Sequence, residues 1–249
     1  MNTKCPSCTA DIDASGASCP NCGYQIATPP TLAIVQPVRR ANKVQPEVVI
    51  GITKDITGSS GPFATGTHLS SELILKAIGS KARSVRVYQQ THGDRDCGQT
   101  EVLVTAGGTI EEALADSARI TYGGGGDPPE HHISGIKRLI EIVPWPADPR
   151  KGRGAVIAFL TADSKPDPDG LTARELGAEI RQRGLLLYLV CEPFEFAEEM
   201  RLAAQGLMFP ITNNPDPADM QRISAQLSAS ILATVASGAT RPMTVGVAA

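Results

Sequence analysis

The chain has 249 residues, 41% of them hydrophobic and 20% charged, which is enough apolar material for a packed core and excludes global disorder. A formal net charge of −3 excludes the whole-chain basic character of a nonspecific nucleic-acid binder, and 4% aromatics disfavour a base-stacking surface. No apolar run approaches the roughly 20 residues that cross a bilayer, and the first residues lack an apolar secretory core, so the expected location is cytoplasmic with no membrane partner.

Four of the six cysteines, Cys5, Cys8, Cys19 and Cys22, form two C-x2-C pairs near the start of the chain. Thiols stay reduced in the cytoplasm, so the disulfide reading is weak. Two tight turns that each aim a pair of thiolates at one point provide the four-sulfur shell of a structural zinc site, and Gly23 suits the backbone of such a turn. The array resembles the short zinc ribbons at bacterial protein termini. Residues 1–25 are too few to fold on their own core, so Zn²⁺ is expected to supply the folding energy. This module has no basic face, so a protein-docking or purely structural role is favoured over nucleic-acid binding. Residues 26–46 contain Pro29, Pro30, Pro37 and Pro46 and read as a semi-rigid linker with a short strand at 32–35.

The main domain is expected over 47–238, followed by a loose tail, 239–249. Residues 48–52 are a continuous apolar run, as in a buried parallel strand. A Gly/Ser/Thr-rich loop follows, and then Leu69, Leu73, Ile74 and Ala77 mark a helix face. Residues 85–88 and 101–104 alternate around the polar loop 92–99 and predict an antiparallel hairpin. Residues 110–120 read as a short helix, and Ile133, Ile136 and Ile140 mark another. The run 155–160 predicts a second buried strand, and Leu176 and Ile180 a helix. Strand 185–190 ends at Cys191, which reads as a buried thiol. Helix 197–204, strand 208–211 and the helix marked by Met220, Ile223, Leu227, Ile231 and Val235 complete the pattern. Cys97 lies in a polar loop and receives no role. The alternation predicts a three-layer, Rossmann-like α/β domain whose mostly parallel sheet carries one antiparallel edge strand.

Ligands bind such sheets at the carboxyl ends of the strands. Three oxygen-rich loops are expected there. Asp55, Thr57 and Ser59 alternate after the first strand, Asp127 follows a run of four glycines, and Asp163 follows the central strand. Oxygen donors with water filling the remainder suit Mg²⁺. Each loop also has a plainer reading: Asp55 and Thr57 as helix caps, Asp127-Pro128 as a helix start, and 163–170 as a turn. His131 and His132 open a helix and are expected to be exposed. The glycine run lacks the Lys-Ser/Thr of a phosphate loop.

In order, these motifs resemble those of a von Willebrand factor A (vWA) domain, over about residues 47–238. Asp55, Thr57 and Ser59 match the D-x-S-x-S of its metal-ion-dependent adhesion site, with Thr57 in place of the first serine. Asp163 matches the later aspartate, and residues 124–130 match a GGGD-x-PE form of the middle loop that brings Asp127 into the ligand set. The resemblance implies Mg²⁺ among Asp55, Thr57, Ser59, Asp127 and Asp163, and a protein partner that supplies an Asp or Glu. It also implies a non-enzymatic adaptor, similar to bacterial vWA proteins that serve MoxR-type AAA+ ATPases or belong to tellurium-resistance and stress systems. The alternative is a phosphatase. Residues 55–59 also resemble the D-K-T-G-T of haloacid-dehalogenase-type phosphoaspartyl enzymes, with Asp55 as nucleophile and Asp163 and Asp167 as the metal loop. Lys54 and Thr57 depart from that pattern.

Overall fold

The structure, a computed structural model, describes residues 2–4, 11–13, 47–126, 128–211 and 215–246. Cys5, Cys8, Cys19 and Cys22, the linker 26–46 with its expected strand, and Asp127 lie outside the described residues. The chain divides into two units, Met1–Lys43 and Val44–Ala249. In the first, β1 (Asn2–Lys4) pairs antiparallel with β2 (Asp11–Asp13), with Thr3 opposite Ile12.

The second unit contains β3 (Glu47–Asp55), α1 (Ala64–Gly79), β4 (Val85–His92), β5 (Val102–Gly108), α2 (Ile110–Ser117) and α3 (His132–Ile142). Then come β6 (Gly152–Phe159), α4 (Ala173–Gln182), β7 (Leu186–Cys191), α5 (Glu195–Ala204), β8 (Leu207–Pro210) and α6 (Pro217–Ser237). Among the described residues these strands form a six-stranded sheet in the order β5-β4-β3-β6-β7-β8. The β4–β5 pair is antiparallel and the others are parallel, as the alternating pattern predicts.

Period-two alternation sorts each central strand between two cores. Val48, Ile50 and Ile52 face a layer that includes residues of α1, α2 and α6. Val49 faces the opposite layer, with α3, α4 and α5. Thr53 and Asp55 continue the Val49 face, and Lys54 continues the other. Lys54 is 1% exposed and its Nζ donates to Ser117 Oγ at 2.6 Å. Burial pushes its ammonium down to about 7. The sequence pattern ended this strand at 52 because Thr53, Lys54 and Asp55 are polar; in the fold all three are buried strand residues.

Capping boxes start α2 (Thr109 with Glu112) and α4 (Thr172 with Glu175), and Asp216 with Pro217 starts α6. Segment 239–246, expected to be loose, is tied to α6 at Met243. Its N–H donates to Thr234 Oγ1 at 2.9 Å and its carbonyl accepts from Ser230 Oγ at 2.6 Å.

The single tryptophan, Trp145, lies against the α3 face of the sheet, where Gly51 of β3 and Gly154 of β6 leave room for its ring. A Cβ at either glycine would meet that ring at 2.6 Å. Gly177 plays the same part between α4 and α5, where a Cβ would collide with the Met200 carbonyl and stand 2.9 Å from Ala203 Cβ. Backbone cannot give way as a flexible side chain can, so Gly177→Ala is expected to destabilise the unit by about 1–3 kcal/mol. Equilibrium denaturant unfolding checks this; an unchanged midpoint would show that α5 shifts freely.

Candidate metal centre at the strand ends

Parallel registers place the ends of β3, β4 and β6 side by side, with Asp55 opposite His92 and Lys54 opposite Phe159. Asp55 is 3% exposed. Its Oδ1 accepts from the Thr57 N–H and the Thr57 hydroxyl, both at 2.9 Å, and its Oδ2 accepts from Thr161 Oγ1 at 2.6 Å. Because Thr57 and Thr161 spend their protons on Asp55, Ser59 must donate to Thr57 (2.9 Å) and Ser60 to Thr161 (2.6 Å). Thr57 occupies the N-cap position of the 3-10 helix Gly58–Phe63, yet its side chain makes no capping bond. The plain capping reading of Thr57 therefore fails, since its hydroxyl serves Asp55.

The glycine run closes over this cluster. Gly58 N–H donates to Gly124 O at 2.8 Å, and Gly123 N–H to Ile56 O at 2.9 Å. Gly124 and Gly125 have φ of +74° and +79°, left-handed conformations that favour glycine, and a Cβ on Gly125 would press on Thr57 at 3.2 Å.

Glu130 completes the site. It is 2% exposed, and its backbone forms a parallel bridge to Ser164, accepting from Lys165 N–H at 2.7 Å and donating to Asp163 O at 2.9 Å. Its carboxyl interacts with Thr57, while its Oε2 has no hydrogen-bond partner among the described residues. A buried carboxylate oxygen without a partner is costly unless a cation or proton satisfies it. Burial, reinforced by the charge of Asp55, pushes the Glu130 carboxyl up to about 7.

The structure thus joins Asp55, Thr57 and Ser59 and adds Ser60, Thr161 and Glu130. Asp163 is exposed, and its carboxylate accepts from the Ser164 N–H at 2.8 Å. Asp127 lies outside the described residues. Sequence reasoning assigned roles to Asp127 and Asp163 and passed over Glu130 and Thr161 in the same two loops. The available signals were weak: a glutamate opening a helix, and a hydroxyl just beyond an apolar strand.

His131 and His132, expected to be exposed, are both buried. His131 faces Asp94, and His132 belongs to a hydrogen-bonded chain beneath Asp55. His132 Nε2 meets the Ala162 carbonyl at 3.1 Å, a contact only a protonated nitrogen can make. In neutral His132, Nδ1 then accepts from His92 Nε2 at 2.9 Å, and His92 Nδ1 accepts from the Thr53 hydroxyl at 2.8 Å. Burial, with the neighbouring His132 ring, pushes His92 down to about 3, and burial also lowers His132, so both rings are neutral near pH 7. For Asp55, burial opposes ionisation. The fields of His132 and His92 and the bonds from Thr161 and Thr57 outweigh it, so the carboxyl lies below its ordinary value.

A second cluster adjoins the first. Asp94, Asp96 and His131 present ligand-type atoms within 4.8 Å of one another. His131 Nδ1 is 3.2 Å from Asp94 Oδ1, and Cys97 Sγ donates to Asp94 Oδ2 at 3.4 Å.

Comparison with known proteins now bears on the fold. The chain is similar to the VWA domain of SpRpn10, with a TM-score of 0.55 at 12% identity, over 74% of this chain and 95% of that one. It is also similar to the pilus adhesin SpaC from Lactobacillus rhamnosus GG, with a TM-score of 0.54 at 12% identity, over 75% of this chain and 31% of the adhesin. The fold is that of a vWA domain. A scan against protein-family models and a search of curated proteins give no match. The Asp55 cluster therefore sits at the carboxyl end of a vWA sheet, where open α/β sheets hold their ligands.

Glu130 gives the vWA unit a pH signature. Its carboxyl rises from an ordinary 4.5 to about 7 on folding, so between these values the folded state holds a proton that the unfolded state has lost. Stability of the ion-free protein falls as pH rises through this window. Glu130→Gln should make that decline shallower. Denaturant unfolding in chelator at several pH values checks it; an identical pH dependence in the variant would count against the shift.

Proposed function

We propose that the chain is a Mg²⁺-dependent protein-binding module whose vWA unit captures a carboxylate of its partner at the Asp55 site, with an N-terminal zinc ribbon for docking. The observation that carries this reading is the Oε2 of buried Glu130, without a hydrogen-bond partner among the described residues, beside the Asp55–Thr57–Ser59 cluster. The donors are all oxygens, two of them anionic, which is a set suited to a hard divalent cation. Asp55, Thr57, Ser59 and Glu130 are the residues that would hold it, with Asp127 and Asp163 in the adjoining loops. When bound, the cation supplies a positive centre for an oxygen of the partner.

The protein's own contribution is preorganisation. Asp55 is held in place by donors from Thr57 and Thr161, and the glycine run holds the loops closed without side-chain bulk. The phosphatase alternative asks Asp55 to be a nucleophile. Both of its oxygens are engaged by hydroxyl and N–H donors and the residue is buried, which favours a fixed ligand over an attacking group. No helix among the described residues is long and apolar enough to cross a membrane. A partner with an exposed Asp or Glu is the first candidate, and an AAA+ ATPase complex of the MoxR type is the class to seek.

For the ribbon, what supports the reading is the sequence spacing of Cys5, Cys8, Cys19 and Cys22, with β1 and β2 paired antiparallel in the same unit.

Calorimetric titration with Mg²⁺ is expected to show saturable binding that Asp55→Ala weakens at least about tenfold, and capture of the partner from lysate is expected to vanish with EDTA. Equal Mg²⁺ affinity in Asp55→Ala would overturn the site. Elemental analysis is expected to give one zinc per chain, lost in Cys19→Ser without change in the melting of the vWA unit. Zinc-free protein from a chelator-free preparation would refute the ribbon.

A further inference from the structure

We propose that the Lys165 ammonium is the resident cation of the Asp94–Asp96–His131 pocket, occupying the position a divalent ion would otherwise take and holding the Glu130 loop in register. Its Nζ lies 3.0 Å from Oδ1 and Oδ2 of Asp94 and 3.0 Å from Oδ2 of Asp96. Asp94 is fully buried and the Lys165 side chain nearly so. A buried carboxylate is costly without compensating partners, and Lys165 is the cation in contact with Asp94, whose Oδ1 also lies 3.2 Å from His131 Nδ1. Three carboxylate oxygens and an imidazole nitrogen would serve a divalent ion equally well, and an ammonium satisfies them with one charge and three donors. The same residue reaches the first site through its backbone, since Lys165 N–H donates to the Glu130 carbonyl at 2.7 Å. Lys165 therefore links the loop after β4, the start of α3 and the loop after β6, and is a positioning residue for Glu130.

Lys165→Met keeps the length and removes the charge. The pocket then lacks a cation, and a divalent ion should enter it. The test counts Mn²⁺ bound per chain from the loss of the free-ion electron paramagnetic resonance signal, in wild type, Lys165→Met and Lys165→Met/Asp96→Asn. Lys165→Met is expected to bind one Mn²⁺ more than wild type, and Asp96→Asn in that background to weaken the added ion at least about tenfold. Lys165→Arg, which keeps the charge, is expected to match the wild-type count. The increment is read against wild type, so a wild-type count of zero would defeat the Asp55 site and still leave the increment to decide this inference. An unchanged count in Lys165→Met would overturn it. If Lys165→Met unfolds in chelator, refolding on addition of Mn²⁺ supports the proposal, and failure to refold refutes it.

Discussion

The arrangement at the strand ends depends on one buried charge. Asp55 sits almost out of water at the end of the central strand, and a carboxylate there is tolerable only if its lone pairs are satisfied by donors held in place. Thr57 and Thr161 fulfil this from two different loops, and each is oriented in turn by a serine. Gly124 and Gly125 bring backbone close over Thr57, Lys165 ties the Glu130 loop to the loop after β4, and the histidine chain braces the floor. Removing any one of these polar side chains leaves another polar group without its partner, so the cluster behaves as a unit.

Alternation along β3 gives its two faces different chemistry. Thr53 and Asp55 look toward α3, where His92 and His132 relay hydrogen bonds between three elements. Lys54 looks toward α2 and finds one hydroxyl. Burial disfavours the charged form of Lys54, whereas both oxygens of Asp55 are hydrogen-bonded. The strand end is thus organised for the anion, with the cost falling on the opposite side of the sheet.

Much of this fold is legible in the residues because apolar periodicity is a strong local signal. Residues 155–160 and 186–190 have no alternative to burial, and the polar loop between two alternating runs announced the β4–β5 pair. The Asp55–Thr57–Ser59 spacing was equally readable, since three oxygens at alternate positions after a strand have few other uses. Glu130, Thr161 and the histidines were not readable for a common reason. Each is a polar residue whose placement is decided by a long-range contact: Glu130 by the bridge to Ser164, His132 by the Ala162 carbonyl and His92, and half-buried Thr161 by Asp55. Local pattern assigns such residues to the surface, and only the tertiary fold reverses that assignment.

The packing of Trp145 has a practical consequence for work on this protein. It is the chain's one indole, seated over glycines of β3 and β6 with its Nε1 donating to the Ile140 carbonyl at 3.0 Å. Gly51 stands four positions before Asp55 on the same strand, so a rise of ~3.3 Å per residue separates the ring from the site by roughly 13 Å. Its emission under selective excitation reports on the integrity of the sheet at a place remote from the strand ends. Loss of the sheet and loss of the site can therefore be followed as two separate optical and ligand-binding signals in one sample, without a label.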